Sequence, residues 1–235
     1  MCFTLPLQAD EIRVAAAANL RYVLPELAKV FEQGTSHKLA ISYAASGTLT
    51  TQIQHGAPFD VFLSADPYYI QRLRKLDLTV GEPVNYAKAQ LALFASHHSS
   101  LNIEEGLLSL KIALEQGKLN KIAIANPRHA PYGQAAKREL ENLGIWQEIQ
   151  PHLLIAENAS QAVQFALSST VDAGLVPYGH IIQPKLASQG VFIKLDATLQ
   201  QQGIIIQGAS DNAKQLMKFI QQKEAKTIFS EYGFL

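Results

Sequence analysis

The sequence predicts an α/β fold, with mostly parallel sheets flanked by helices. Two observations predict it. Short apolar runs, such as Ile12-Arg13-Val14-Ala15-Ala16-Ala17 and Lys121-Ile122-Ala123-Ile124-Ala125, alternate along the chain with stretches of helical spacing. Strands continuous in apolar character and linked by helices belong to parallel sheets covered on both faces. With 235 residues, 48% of them hydrophobic, the chain can bury one large or two modest cores.

The first strand opens into Ala18-Asn19, after which Leu20, Val23, Leu24, Leu27, Ala28 and Phe31 recur at helical spacing until Gly34. Asn19 is thereby read as the helix N-cap. Pro25 belongs near the first turn or at a bend, since it lacks an N–H. A second unit runs from Leu39-Ala40-Ile41-Ser42-Tyr43 into a helix read as capped by Ser46, stopped at Gly56-Ala57-Pro58. Asp60-Val61-Phe62-Leu63 is a buried strand, and Asp66 caps a helix opened by Pro67. Lys88 to Ala95 is a strand, and Glu104 to Gly117 a short helix. Strand 121–125 leads through the loop Asn126-Pro127-Arg128-His129-Ala130-Pro131-Tyr132-Gly133 to a helix from about Gln134 to Leu143. Leu153 to Ala156 is the next strand, with a helix starting at Glu157-Asn158-Ala159-Ser160. Strands at Asp172–Val176, Val191–Ile193 and Gly203–Ile206 follow, and then helices at Asn212–Gln222 and Glu224–Tyr232.

Composition excludes several classes. The 20 basic and 20 acidic residues balance, which argues against a nucleic-acid partner. No apolar run reaches transmembrane length. Cys2 is the single cysteine, so neither an internal disulfide nor a Cys-based zinc site is available. Residues 1–9, MCFTLPLQA, read as the tail of a secretory signal without its basic region, which implies export; a lipid anchor on Cys2 is the alternative. The seven histidines show no metal-binding spacing, Ser46 lies in no G-x-S-x-G elbow, and no Gly-rich phosphate loop with lysine occurs. No residue is assigned a catalytic role, and no cofactor is expected.

Four strand-to-helix junctions carry the chemistry: Asn19, Ser46, Tyr132-Gly133 and Asn158-Ala159. Ligands of open α/β sheets bind at the carboxyl ends of strands. Each helix start there offers free N–H groups and about half a positive charge. Several such starts converging on one cleft can hold an oxyanion without Arg or Lys. Each residue also has a plainer reading: Asn19 and Ser46 as ordinary caps, Tyr132 as packing, and Ala159 as a residue whose side chain offers nothing.

The string from Tyr43 to Asp66, ASG-x-L-x-x-QI-x-x-GAP-x-DVF-x-SAD, resembles the periplasmic molybdate-binding proteins, the solute receptors of molybdate ABC importers. The resemblance extends from Glu11 to Leu235. It implies a two-lobed periplasmic-binding-protein fold of type II with two crossover strands. Lobe 1 would comprise residues 10–92 and 200–235, and lobe 2 residues 93–199. The implied oxyanion ligands are Ala18, Asn19, Ser46, Tyr132 and Ala159, with Gly47, Gly133, Asn158 and Tyr178 as weaker candidates. Molybdate would be held through its oxygens by Asn19, Ser46, Tyr132 and Ala159.

The chain departs from the family pattern in three places. Ala17-Ala18-Asn19-Leu20 stands where Ala-Ala-Ser-Leu is usual, and Ala18 replaces the Thr of the subgroup that carries Asn. Ala159 stands where Val is common. Pro177 stands where many members place a Tyr, with Tyr178 one residue late; Tyr132 is then the expected substitute donor. The resemblance implies a monomeric periplasmic receptor that delivers molybdate, and tungstate, to an ABC importer's permease. The alternatives are a receptor for sulfate, phosphate or chromate, and a small-molecule enzyme on a similar fold.

Overall fold

The computed structural model describes residues 11–235; the expected signal remnant at 1–9, with Cys2, lies outside the described residues. Eight strands form one sheet: β1 (Glu11–Ala17), β2 (Lys38–Ala44), β3 (Val61–Ser64), β4 (Thr79–Ser96), β5 (Ile122–Ala125), β6 (Leu153–Ala156), β7 (Ala173–Pro177) and β8 (Gly190–Ile206). The α-helices are α1 (Val23–Gly34), α2 (Ser46–Gln54), α3 (Pro67–Arg74), α4 (Leu107–Glu115), α5 (Pro131–Asn142), α6 (Trp146–Ile149), α7 (Ala159–Ala166), α8 (Tyr178–Ile181), α9 (Pro184–Ala187), α10 (Ala213–Phe219) and α11 (Lys223–Glu231).

The strand order is β2-β1-β3-β8-β4-β7-β5-β6. At one end β1 pairs parallel with β2 and β3; at the other β5 pairs parallel with β6 and β7. The two parallel blocks are joined by β4 and β8, which run antiparallel to each other with register breaks between Val80 and Val84, Asn85 and Ala87, and Gln90 and Ala92. The first part of β8, Gly190 to Lys194, pairs with the end of β4, whereas its last part also pairs with β3. These are the two crossover strands of a two-lobed α/β protein.

The sequence expectation needs correction here. The strands expected at Val191–Ile193 and Gly203–Ile206 are one strand, and Lys88–Ala95 is the inner part of a strand that begins at Thr79. The intervening Lys194-Leu195-Asp196-Ala197-Thr198 is polar and half exposed, because this ribbon is covered only in part. A polar ribbon reads as loop when burial is the guide.

Local chemistry anchors the first block. Asp60 is buried and accepts from the backbone N–H of Arg13 at 2.8 Å, from the Arg13 guanidinium at 3.0 Å, and from the Ser210 N–H at 3.2 Å. It thus ties the start of β3 to β1 and to the turn before α10. Asp66 caps α3 as expected, accepting from the Tyr68 N–H at 2.8 Å. Pro25 is the third residue of α1, inside the first turn, where no N–H is needed.

Candidate oxyanion site

Through the antiparallel steps β3-β8-β4-β7, β1 and β3 run opposite to β5 and β6, so the carboxyl ends of the two blocks face each other, and the segments that leave β1, β2, β5 and β6 meet there. Between them lies a cavity of about 10 Å3, lined by Ala17, Ala18, Asn19, Ala45, Ser46, Ala65, Ala130, Pro131, Tyr132 and Ala159. It therefore gathers Ala18, Asn19, Ser46, Tyr132 and Ala159 from four separate junctions. Pockets for ordinary organic ligands run to roughly 300–1,000 Å3. This one suits a small ion. A larger groove, about 380 Å3, lies against α4, but Glu104, Glu105 and Asp172 outweigh Lys118 along it and its net charge disfavours an anion.

Ser46 is the first residue of α2 and fully buried. The expected capping role is not found: Ala45 occupies the N-cap position, and no side chain caps this helix. Instead the Ser46 hydroxyl accepts from the Ala65 N–H at 3.1 Å. That bond leaves the hydroxyl proton to donate elsewhere. As the first helical residue, Ser46 also carries an N–H with no acceptor inside its helix.

Asn19 likewise is not a helix cap. It sits in a 3-10 turn, Ala18–Leu20, while α1 begins at Val23 after Tyr22. Ala17, Ala18 and Asn19 all line the cavity before the helix departs. Asn19 is 2% exposed. Its side-chain Nδ2 donates to Oε1 of Gln201 at 2.9 Å, and its backbone carbonyl accepts from Nε2 of His180 at 2.9 Å. Its Oδ1 is buried with no hydrogen-bond partner.

Tyr132 and Gly133 lie in the first turn of α5, which starts at Pro131 rather than at Gln134. Pro at the first helical position explains the early start. Burial drives the Tyr132 phenol far above its ordinary pKa, opposed in part by its hydrogen bond with the Asn19 side chain. The hydroxyl is therefore protonated and available as a donor. Gly133 packs its Cα against the Ala125 carbonyl, where a Cβ has no room.

Ala159 is the first residue of α7, 5% exposed, and can offer its N–H alone. Asn158 is a true N-cap, its Oδ1 accepting from the Gln161 N–H at 3.1 Å, so its side chain serves the helix. Gly47 is committed as well: its N–H donates to the His129 carbonyl at 2.9 Å. Tyr178 does not line the cavity. Its ring packs edge-on against Phe192, with the Lys194 ammonium 5.5 Å from the ring centre.

No Lys or Arg lines the cavity. Its positive potential comes from the N-terminal ends of α2, α5 and α7 and from neutral donors. Five hydrogen bonds close one block on the other: Gly47 N–H to His129, the Thr48 hydroxyl with the His129 ring at 3.4 Å, Ser160 hydroxyl to the Ala18 carbonyl at 2.8 Å, His180 to Asn19, and Gln134 to the Tyr69 hydroxyl at 3.1 Å. Gln201, His180 and the Ala65 N–H are absent from the sequence reading. They reach the site across 182, 161 and 19 residues of chain, and no local pattern marks such contacts.

A family model described as bacterial extracellular solute-binding protein matches residues 12–235. The chain belongs to this family. Similar members include the molybdate-binding protein ModA of Rhodobacter capsulatus, 32% identical over 100% of this chain and 92% of that protein. ModA of Azotobacter vinelandii is 30% identical over 97% of this chain and 90% of its own length. Among solved structures, the periplasmic molybdate-binding protein of Azotobacter vinelandii superposes with a TM-score of 0.86 at 29% identity, covering 95% of this chain and 98% of that one. The solute-binding family accounts for the crossover ribbon and for a cleft between two lobes.

Proposed function

We propose that this solute-binding protein captures molybdate outside the cytoplasm and delivers it to the membrane permease of an ABC importer. The observation that carries this reading is one small, buried cavity at which three helix starts and the Asn19 turn converge with neutral donors. The similarity to molybdate-binding proteins across essentially the whole chain supports the same ligand.

In this reading the oxygens of the dianion accept from the Ser46 hydroxyl and N–H, the Tyr132 hydroxyl, the Ala159 N–H and the Asn19–Ala18 turn. Hydrogen bonds to a charged group contribute ~1.5–3 kcal/mol each. Four or five therefore offset dehydration and reach the ~8 kcal/mol of micromolar binding. Neutral donors hold the ion without a fixed ion pair, so lobe opening can release it. Tungstate, of the same charge and shape, is accepted alike. Sulfate is smaller and cannot meet every fixed donor at ~2.7–3.1 Å. The protein acts as a monomer, and no covalent bond is made or broken.

Thermal unfolding with molybdate, tungstate, sulfate or phosphate added separately tests the reading. At one hundred times Kd a bound ligand adds ~2.7 kcal/mol, which for a chain of this size raises Tm by about 5–10 °C. The expected result is a rise with molybdate and tungstate alone. A rise with sulfate or phosphate instead would assign a different oxyanion.

A further inference from the structure

We infer that Gln201 is a positioning residue that sets molybdate selectivity by fixing which edge of the Asn19 amide faces the anion. This rests on the molybdate reading above. Gln201 is fully buried in the crossover strand β8. Its own amide is oriented by a second bond, Nε2 donating to the Leu199 carbonyl at 3.1 Å. Its Oε1 therefore faces Asn19 as an acceptor, and Asn19 must turn Nδ2 toward it.

The consequence is visible in the Asn19 side chain. Its Oδ1 is buried and unpartnered, an arrangement that an unrestrained amide avoids. An amide free to rotate would exchange its two ends, and an oxygen turned toward an oxyanion repels it. A primary amide has two N–H groups; with one given to Gln201, the other remains for Tyr132 or the anion. Gln201 touches no cavity surface itself, so it acts through Asn19. Because it lies on a strand shared by both lobes, it sets the amide from the hinge side of the site.

The test is a double-mutant cycle read by calorimetric titration with sodium molybdate and with sodium sulfate. Gln201→Met keeps length and volume but removes the acceptor. The expected result is at least tenfold weaker molybdate binding and a reduced molybdate-to-sulfate ratio, in a protein whose melting temperature without anion falls because two buried hydrogen bonds are lost. In the Asn19→Ala background the same substitution should change affinity less than twofold. Full affinity in Gln201→Met, or an equal loss in both backgrounds, overturns the inference.

Where Gln201→Met does not fold, the Asn19 side-chain amide of the unsubstituted chain decides by nitrogen-15 NMR. The inference requires the proton held by Gln201 to exchange slowly with solvent; rapid solvent exchange of both amide protons overturns it. Failure of the unsubstituted protein to bind molybdate would reject the functional reading and is distinguishable from all these outcomes.

Discussion

The backbone N–H of Gly47, in the first turn of α2, donates to the carbonyl of His129 across 2.9 Å. The bond joins one lobe to the loop that leads into the opposite one. A Cβ on Gly47 would stand 2.6 Å from that same carbonyl oxygen and 2.8 Å from the His129 Cβ. Here glycine is a matter of space between lobes, since the residue is helical and needs no unusual φ.

Gly47→Ala should therefore obstruct closure. Alanine is the better helix former, so α2 itself should persist. The expected outcome is molybdate affinity lowered by more than tenfold, about 1.4 kcal/mol or more, with an unchanged circular dichroism spectrum. Titration calorimetry checks it, and full affinity would show that the lobes need not approach this closely.

Ser46→Ala removes a hydroxyl that accepts from the Ala65 N–H and retains a proton for the cavity. Molybdate binding should weaken by ~1.5–3 kcal/mol. The melting temperature without anion should also drop, because the buried Ala65 N–H loses its acceptor at a cost of about 1–3 kcal/mol. Unchanged affinity would remove Ser46 from the ligand shell.

The same residue illustrates how the sequence speaks at two levels. The string around Ser46, and the breaks from apolar strand to neutral residue at Asn19, Tyr132 and Ala159, mark strand-to-helix junctions. That much is local, and all four residues line one cavity. The local role is a different question, because Ser or Asn after a strand can cap a helix or face a cleft. At Asn158 and Asp66 the side chain caps; at Ser46 and Asn19 it does not. The half-exposed polar ribbon of β8 hides a strand from any burial pattern. Gln201 and His180 reach Asn19 only because that ribbon and α8 fold back upon it.

His180 supplies a pH dependence. It is buried, and its pKa is lowered to about 4, chiefly by loss of water and further by Arg21, against the raising effect of its bonds to the Asn19 and Ala18 backbone. The unfolded imidazole, with a pKa near 6.5, takes up a proton first. Stability is thus fully present above about pH 6.5 and is lost as pH falls toward 4, by about 2 kcal/mol between pH 7 and pH 5. His180→Gln should flatten this part of the profile. Urea unfolding at the two pH values checks it, and parallel profiles for both chains would contradict it.

Asp60 shifts in the same direction through the opposite balance of causes. Burial pushes its carboxyl up, but the Arg13 guanidinium and the N–H groups of Arg13 and Ser210 outweigh burial and hold it below the ordinary carboxylate value. Its contribution is present above about pH 4 and fades as pH falls through the lowered value. Asp60→Ala leaves two backbone N–H groups without their acceptor, at a cost of about 2–4 kcal/mol. Chemical denaturation at neutral pH should show that loss, with molybdate affinity of the folded fraction nearly unchanged. A loss under 0.5 kcal/mol, the size of an ordinary surface substitution, would contradict it.

The most direct measurement is a crystal structure of the chain grown with molybdate, with anomalous differences collected at the molybdenum edge. The account predicts one strong peak in the cavity between Asn19, Ser46, Tyr132 and Ala159, with donors at hydrogen-bonding distance from the surrounding oxygens. A protein saturated with molybdate whose peak lies elsewhere, or whose cavity stays without one, would contradict it.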